Sequence, residues 1–450
     1  MSIKRYLVIL LALLLLLTPV FTACENVSIP EPSSGESAVP PESGDPASMP
    51  DESSVPDGSD ESSDPEESKV PQDTVISFLA CPDVIIHSSV FYDAINRAAE
   101  KNGTDPVYND LHNVEYDFYP IFEYVSDAIS QADVAYVNQE TLPGSDKKAV
   151  SGYPRFNSPF AIADTIAGLG FDVVNLAHNH MLDAGNASYA ANAYKLFTDA
   201  GLTAIGYYKN DAAVDDIPVV ECKGVKIAML AYTYGTNGIR LPSSEPEIIP
   251  YFSKELLQRQ IPKAKEVADL VFVSAHWGNE NNFNLASLQK EYADLMCELG
   301  VDVVIGMHPH VIQKIEWKTA KNGHKTLIAY SLGNYISGMK AAKNLLAGML
   351  EFNIVKSAAT GEITIDDPLF IPTVTHYVKT KTVSSSDTGF REFKIYYLSD
   401  YNEGLASKHG VHNYESSKGS SLTGGKFSYA NLIKTLKKYI DPEFLPEEFR

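Results

Sequence analysis

The stretch Asp172-Val173-Val174-Asn175-Leu176-Ala177-His178-Asn179-His180 decides how this chain is interpreted. A short β-branched run ends in two imidazoles and an amide, which are poor fillers of an apolar core, and Asp183 and Gly185 follow shortly after. The pattern predicts a strand that ends at a binding crevice and then turns into a helix. The alternative is that Asn179 or Asp183 only caps that helix.

Four further short apolar runs end in the same kinds of side chain. In chain order, their ends carry Asp83 with His87, Asn138 with Glu140, His276, and His308 with His310. The carboxyl ends of strands in an open α/β sheet face a common crevice, so we expect these distant residues to converge. Carboxylates, imidazoles and amides together form the ligand set of a hydrolytic metal centre.

Several of these residues allow two interpretations from the sequence alone. Gly306-Met307-His308-Pro309-His310 is expected to be extended, which would point both imidazoles the same way. Glu280 either orients an imidazole or is a plain exposed acid. His87 either reaches the site, because an extended strand would place it on the face of Asp83, or is structural. Asn334 either lines the pocket or caps a turn.

Strand and helix patterns alternate from Thr74 to about Glu351, which predicts an α/β fold with a mainly parallel sheet. Beyond about residue 345 four strand-like runs follow without intervening helices: Ala347–Val355, Gly361–Ile365, Phe370–Val378 and Glu392–Leu398. They are expected to form a second, more antiparallel sheet packed on the first. A last helix is predicted over Ala430 to Ile440.

The first 24 residues have the organisation of a secretory signal. Lys4 and Arg5 precede an apolar run from Tyr6 to Val20, and Phe21-Thr22-Ala23-Cys24 resembles the cleavage site of a bacterial lipoprotein. We therefore expect Cys24 to be lipidated and the protein to be extracytoplasmic, anchored to the cell membrane of a Gram-positive bacterium. The alternative is an uncleaved N-terminal anchor.

Residues 25–73 are rich in Ser, Pro and acidic residues and carry 14 acids and one lysine. Such a segment buries too little apolar surface to fold, so it is predicted to be a disordered tether. The chain has a formal net charge of −22, which argues against nucleic acid as a partner. Cys81, Cys222 and Cys297 have no spacing that indicates a disulfide framework or a zinc site.

Six motifs in order resemble the CapA-type poly-γ-glutamate capsule biosynthesis family, a branch of the calcineurin-like metallophosphatase superfamily. The resemblance covers roughly residues 75–340. The motifs are Pro82-Asp83 with His87, Asn138-Gln139-Glu140-Thr141, Asn175-Leu176-Ala177-His178-Asn179-His180, His276-Trp277-Gly278-Asn279-Glu280, Gly306-Met307-His308-Pro309-His310, and Tyr330-Ser331-Leu332-Gly333-Asn334.

The resemblance implies a four-layer α-β-β-α metallophosphatase-like sandwich, with a CapA-type domain over 74–400 and a C-terminal extension over 401–450. It also implies a binuclear centre of Mn, Fe or Zn. Carried over by motif, the ligands are Asp83, Glu140, Asn179, His276, His308 and His310. His180 would stand near the leaving group, and His87, His178, Glu280 and Asn334 would bind substrate or support the ligands.

The sequence departs from the superfamily pattern in two places. Asp83-Val84-Ile85 replaces Asp-x-His, so one imidazole ligand is missing unless His87 substitutes for it. Asn138-Gln139-Glu140 replaces the second Asp motif. One metal position is therefore expected to be weakened.

Three functions follow from these patterns. The first is a membrane-tethered metallohydrolase, phosphoesterase-like, that acts on a phosphoester or an anionic surface polymer during capsule polymer synthesis or export. The second is a non-catalytic subunit that binds an anionic polymer beside a membrane synthase complex. The third is a solute-binding lipoprotein, which fits the leader and tether but not the ordered ligand motifs.

Overall fold

The computed structural model describes residues 72–414 and 421–450. The signal peptide, the lipidated Cys24 and nearly all of the tether lie outside this part of the chain, so these features stay predictions. Within the described residues, no helix is both long enough and apolar enough to cross a bilayer.

The described residues form strands and helices that alternate over the first two thirds of the fold. The strands are β1 (Thr74–Val84), β2 (Val134–Gln139), β3 (Val173–Asn175), β4 (Thr203–Ile205), β5 (Val219–Cys222), β6 (Val225–Thr233), β7 (Leu270–His276), β8 (Val303–Met307), β9 (Ile315–Thr319), β10 (Lys325–Ala329), β11 (Asn334–Ile336), β12 (Leu346–Lys356), β13 (Ile363–Lys379) and β14 (Phe390–Tyr397). The helices are α1 (Ser88–Asn102), α2 (Ser126–Gln131), α3 (Ala161–Gly168), α4 (Ala187–Asp199), α5 (Lys254–Val267), α6 (Ser287–Leu299), α7 (Glu403–Ala406) and α8 (Tyr429–Tyr439).

Two sheets form the centre of the molecule. The first has eight strands in the order β14-β13-β12-β1-β2-β3-β4, with β11 also pairing with the end of β1. Strands β1 to β4 run parallel, whereas β12, β13 and β14 are antiparallel to their neighbours. The second sheet has the order β5-β6-β7-β8-β10-β9, in which β6, β7, β8 and β10 are parallel.

The sheets pack face to face through apolar side chains. The ring of Phe78 on β1 meets the ring of Phe272 on β7 edge-on, with centroids 5.1 Å apart. The neighbours of Phe272 on β7, Val271 and Val273, point the other way and pack against α5 and α6. Successive side chains of a strand face opposite sides of the sheet, so the continuous apolar run of β7 is what a strand buried on both faces requires.

Helices cover the outer faces of both sheets. The parallel crossovers of the first sheet contain α1 to α4, and crossovers of one hand place their helices on one face. Helix α4 begins where Asn186 accepts a hydrogen bond from the Tyr189 amide, and α6 ends at Gly300, whose φ of +85° suits glycine. The predicted four-layer α-β-β-α sandwich is confirmed.

One prediction about the sheets is wrong. The antiparallel strands after residue 345 do not form a separate sheet: β12 pairs with β1 along Thr74 to Ala80 and so extends the first sheet. The second sheet is instead the largely parallel one built around β6 to β10. The runs expected at Gly361–Ile365 and Phe370–Val378 are one strand, β13, which keeps pairing with β12 across a bulge. Local patterns cannot show which strands become neighbours.

The C-terminal residues pack on the same core as the rest of the fold. Tyr401, Leu432 and Phe449 are all buried in the main apolar cluster. His376 on β13 lies at this seam, with its Nδ1 atom 2.8 Å from the hydroxyl oxygen of Tyr401. Burial lowers the pKa of His376 to about 4, below the ordinary value of about 6.5.

We expect acid to destabilise this seam through His376. Between about pH 6.5 and pH 4 the unfolded chain binds a proton at this imidazole and the folded chain does not, so the free energy of unfolding falls as the pH falls. The contribution is about 3 kcal/mol over that window. Urea unfolding at pH 7 and pH 5 should show a smaller pH-dependent loss for His376→Gln than for the wild type. Equal losses in the two proteins would contradict the prediction.

Candidate metal centre

The polar residues predicted at strand ends meet where the carboxyl edges of the two sheets face each other. Strands β1, β2 and β3 of the first sheet lead to Asp83, Glu140 and Asn179, and strands β7 and β8 of the second lead to His276 and His308. All five side chains are buried. The convergence is as predicted, although the strands belong to two sheets rather than to one.

Asp83 is held by donors on both of its carboxylate oxygens. Asn138 Nδ2 donates to Asp83 Oδ1 at 2.6 Å, and the His308 amide donates to Oδ2 at 3.3 Å. Asn138 is itself fixed by Asn175 Nδ2, which donates to Asn138 Oδ1 at 2.7 Å. The Asn138 and Asn175 amides therefore orient the Asp83 carboxylate toward the second sheet.

Glu140 lies at the middle of the cluster. Its Oε1 atom is 3.6 Å from His310 Nε2 and 3.8 Å from His276 Nε2, and its Oε2 atom has no hydrogen-bond partner among the described residues. Burial raises the pKa of Glu140 well above its ordinary value. A buried carboxylate with an unpaired oxygen is costly unless a cation compensates it, so this geometry fits a metal ion.

Two groups of three residues bring their ligand atoms within 4.8 Å of one another. One group is Glu140, His308 and His310, and the other is Asp83, Glu140 and His276. Glu140 belongs to both groups, so its carboxylate would be a ligand of an ion bound at either group.

His308 and His310 reach the site by a route that differs from the prediction. Strand β8 ends at Met307, and both histidines adopt left-handed backbone conformations, with φ of +97° and +56°. The expected extended geometry is therefore wrong. Left-handed conformations are uncommon for residues other than glycine and are found where a site requires them.

His310 is positioned by acceptors at Nδ1. This atom lies 2.9 Å from Asn334 Oδ1 and 3.3 Å from Asp83 Oδ2, so Nε2 is left to face Glu140. Such support of the distal ring nitrogen is typical of metal-binding histidines. Burial opposes a charge on His310, but Glu140 and Asp83 outweigh it and raise its pKa to about 9.

Asn179, His276 and His308 complete the cluster. Asn179 Oδ1 lies 3.0 Å from His276 Nε2, and the rings of His276 and His308 have centroids 4.8 Å apart. Nδ1 of His308 is buried without a partner among the described residues. The structure thus brings all six predicted ligands together. Two of their ligand atoms, Glu140 Oε2 and His308 Nδ1, have no hydrogen-bond partner among the described residues, which fits a site for divalent metal. Their roles as ligands stay predictions.

His180 lies at the edge of the cluster and belongs to neither three-residue group. Its Nδ1 atom is 2.8 Å from Asp183 Oδ2, and Asp183 also accepts a hydrogen bond from the Phe156 amide at 2.7 Å. The Asp183 carboxylate thereby fixes the imidazole and favours the tautomer with hydrogen on Nδ1. This leaves Nε2 for proton exchange. The place of His180 near a leaving group stays a prediction.

The structure places the four residues predicted to bind substrate or support the ligands in different settings. His178 is buried and accepts a hydrogen bond from the His180 amide, and Asn334 supports His310. His87 does not extend β1: the strand ends at Val84, and His87 precedes α1, where it accepts a hydrogen bond from the Gly338 amide. Glu280 is exposed, and among the described residues no hydrogen bond joins it to an imidazole.

A family model places the chain among known proteins. Residues 77–339 match the model described as "Bacterial capsule synthesis protein PGA_cap". The chain belongs to this family. The matched range agrees closely with residues 75–340, over which the motifs carry the resemblance.

Two curated relatives of this PGA_cap protein are named CapA. The chain is 32% identical over 224 residues to "Capsule biosynthesis protein CapA" of Bacillus anthracis, covering 48% of this chain and 53% of the relative. It is 28% identical over 254 residues to "PGA biosynthesis protein CapA" of Bacillus subtilis (strain 168), covering 53% of this chain and 65% of the relative. The match therefore spans between half and two thirds of the length of these relatives.

Two solved structures show a more distant likeness. A 5′-nucleotidase precursor from Thermus thermophilus gives a TM-score of 0.40 at 14% identity, covering 66% of this chain and 55% of that one. The calcineurin-like phosphoesterase YfkN from Bacillus subtilis gives a TM-score of 0.39 at 13% identity, covering 71% of this chain and 94% of that one.

Two site residues of this PGA_cap protein were missed from the sequence. Asn237 Nδ2 lies 3.3 Å from His180 Nδ1, and Asn237 Oδ1 accepts a hydrogen bond from Asn179 at 3.2 Å. The ring of Tyr234 packs on that of His308, with centroids 4.4 Å apart. Both follow β6, and the signal that could have found them is another strand end in a polar run, Thr233-Tyr234-Gly235-Thr236-Asn237.

Proposed function

We propose that this protein is a metal-dependent hydrolase of the phosphoesterase type, with two divalent ions, that acts outside the cytoplasm in the synthesis or export of an anionic capsule polymer. One observation carries the proposal. The fold brings two buried groups of ligand-type residues together from both sheets, and Glu140 belongs to both groups. A carboxylate that belongs to both groups would help to hold two ions close together, and such a pair supplies hydrolytic chemistry.

The residues of the site have two roles, to hold metal ions and to transfer a proton. The holding set consists of Asp83, Glu140, Asn179, His276, His308 and His310. Ions bound there would lower the pKa of water and stabilise developing negative charge on the substrate. His180, held by Asp183 through Nδ1, would give the Nε2 proton of its imidazolium form to the leaving oxygen.

The capsule role is supported by family membership and by the names of the two CapA relatives. The acidic tether and Cys24 would hold the domain at the membrane surface, beside a capsule polymer synthase complex. The substrate would be a phosphoester or an anionic polymer. The sequence motifs of the leader support the membrane attachment.

A second candidate is a subunit that binds polymer without turnover. Two observations favour it. Ile85 stands two residues after Asp83, where the superfamily has an imidazole ligand, and His87, which could have replaced that ligand, belongs to neither ligand group. The two candidates differ in one result: a protein that contains metal but hydrolyses neither a phosphoester nor the anionic polymer supports the second.

We expect His180→Ala to lower kcat on phenyl phosphate by about 100-fold or more, because phenolate is a poor leaving group that needs a proton, and the change removes the proton donor without removing a ligand. Asp183→Asn should lower kcat by about tenfold through loss of imidazole orientation. Metal content should stay at the wild-type level in both. His112→Ala, which changes an exposed histidine, is the control. Undiminished turnover in His180→Ala would refute the role of this imidazole.

A further inference from the structure

Two of the predicted ligands, His308 and His310, lie in a backbone segment that needs support from the rest of the chain. Both have positive φ, and Pro309 stands between them. Residues with a side chain keep such a conformation only where the surrounding structure enforces it. We call residues 307–310 the histidine turn. The groups that bind its backbone decide where the two imidazoles point.

Four successive residues of the histidine turn each have a backbone group bound by another part of the chain. The pairs are Met307 O with the Trp277 amide at 3.1 Å, the His308 amide with Asp83 Oδ2 at 3.3 Å, Pro309 O with the Asn281 amide at 2.7 Å, and His310 O with Asn344 Nδ2 at 2.8 Å. Among these partners only Asn344 donates from a side chain. This support can therefore be removed by one substitution without a change to the backbone.

Asn344 also supports the ring of His310 by a second route. Its backbone oxygen accepts a hydrogen bond from Asn334 Nδ2 at 3.2 Å, and Asn334 Oδ1 lies 2.9 Å from His310 Nδ1. Asn344 is only 2% exposed, so water competes little for these hydrogen bonds. One residue thus fixes the backbone of His310 directly and its imidazole through Asn334.

Asn281 connects Asn344 to the other half of the histidine turn. Asn344 Nδ2 donates to Asn281 Oδ1 at 2.8 Å, and Lys343 Nζ donates to the backbone oxygen of Asn281 at 2.9 Å. Because the Asn281 amide binds Pro309, Asn344 acts on Pro309 through Asn281 as well as on His310 directly. We call Asn281 and Asn344 the asparagine clamp.

Asn344 comes from a part of the chain that the family model does not cover. It ends a short 3₁₀ turn, Ala342–Asn344, just before β12, and lies outside the matched residues 77–339. Strand β12 pairs with β1, the strand that leads to Asp83. The pairing that extends the first sheet therefore also brings Asn344 to the histidine turn.

We propose that Asn344 is a positioning residue. With Asn281 it locks the histidine turn in its left-handed conformation before any ion binds, so that a divalent ion meets two imidazoles already in place. A preformed site avoids the cost of ordering its ligands on binding, which raises affinity. The proposal rests on the proposed function only in treating the two histidines as metal ligands.

Amide hydrogen exchange of the purified, metal-free full chain tests the lock itself. Asn344→Ala should raise the exchange rates of the His308 and Asn281 amides about tenfold or more, because the turn that both contact opens more often. The matched control is Asn431→Ala in α8, where Asn431 Nδ2 also donates to a backbone oxygen, that of Lys426 at 2.9 Å. Equal rates in the wild type and Asn344→Ala would overturn the lock.

Calorimetric titration of the folded proteins with Mn²⁺ tests the positioning role. Asn344→Ala should weaken Mn²⁺ binding about tenfold, as the loss of a residue that supports a ligand does. Asn281→Gly keeps the backbone amide that binds Pro309, suits the φ of +61°, and should weaken binding about threefold. Since the two residues form one network, the double variant should lose about tenfold rather than about thirtyfold.

The outcomes of the two experiments are distinct. A merely structural Asn344 would lower the free energy of unfolding and leave the Mn²⁺ affinity of the folded protein unchanged, and that result in Asn344→Ala and Asn281→Gly would overturn the positioning role. If Asn344→Ala does not fold, Asn281→Gly carries both measurements. A wild type that binds no Mn²⁺, with faster exchange in the variants, would refute the proposed function and support the lock.

Discussion

Replacing Glu140 with glutamine is expected to weaken divalent metal binding by more than about 100-fold, because even the loss of a supporting residue costs 10- to 100-fold. Glu140 belongs to both ligand groups, so one substitution removes a charged ligand from each. The metal-free fold should be almost unaffected. Burial raises the pKa of this carboxyl well above its ordinary value, and glutamine resembles the protonated form.

Thermal unfolding with added Mn²⁺ measures this difference. A ligand present at 100 times its Kd stabilises the folded state by about 2.7 kcal/mol. The wild type should show an upward shift in Tm, and Glu140→Gln should show none. Glu280→Gln, which changes an exposed carboxylate near the site, should respond as the wild type does. A full Mn²⁺ response in Glu140→Gln would contradict the assignment.

Replacing Gly306 with alanine is expected to destabilise the fold by about 3 kcal/mol, the upper range for forcing extra atoms into a packed interior. Gly306 lies in β8, two residues before His308. An added Cβ would stand 2.2 Å from the backbone oxygen of Tyr330 and 2.6 Å from that of Ala329. These are backbone atoms that pack against β8 and cannot rotate away, so the strand must shift.

Urea unfolding of Gly306→Ala measures the loss in free energy of unfolding. The matched control is Gly235→Ala, since a Cβ at Gly235 would meet no atom within 4 Å. Because β8 carries His308 and His310 into the site, Gly306→Ala should also weaken Mn²⁺ binding. An unchanged free energy of unfolding, equal to that of Gly235→Ala, would show that the neighbouring backbone can yield.

Much of the candidate site could be predicted because the ends of these strands have a clear signal in the sequence. The runs before Asp83, Glu140 and His276 are apolar and end abruptly in ligand-type residues, and topology then places such ends along one edge. No comparable local signal exists for sheet partners. The pairing of β12 with β1 depends on contacts over 260 residues apart in sequence, such as Phe78 with Phe352, and this is why the second sheet was assigned to the wrong strands.

Backbone conformation limited the prediction at two other places in the chain. The spacing of His308 and His310 suggested an extended segment, but the chain turns sharply after Met307, and both residues adopt positive φ. His87 was placed on the face of Asp83 by strand periodicity, which fails because β1 ends three residues earlier. Periodicity is informative only within an element, and both errors fall just beyond the end of one.

Metal content of the purified full chain tests the central claim most directly. Elemental analysis of the wild type should find about two Mn, Fe or Zn per chain, the number that a two-ion site holds. His308→Ala, which breaks one of the two ligand groups, should hold about one or fewer, and Glu140→Gln almost none. A folded wild type with almost no metal, even after Mn²⁺ is supplied, would contradict the claim.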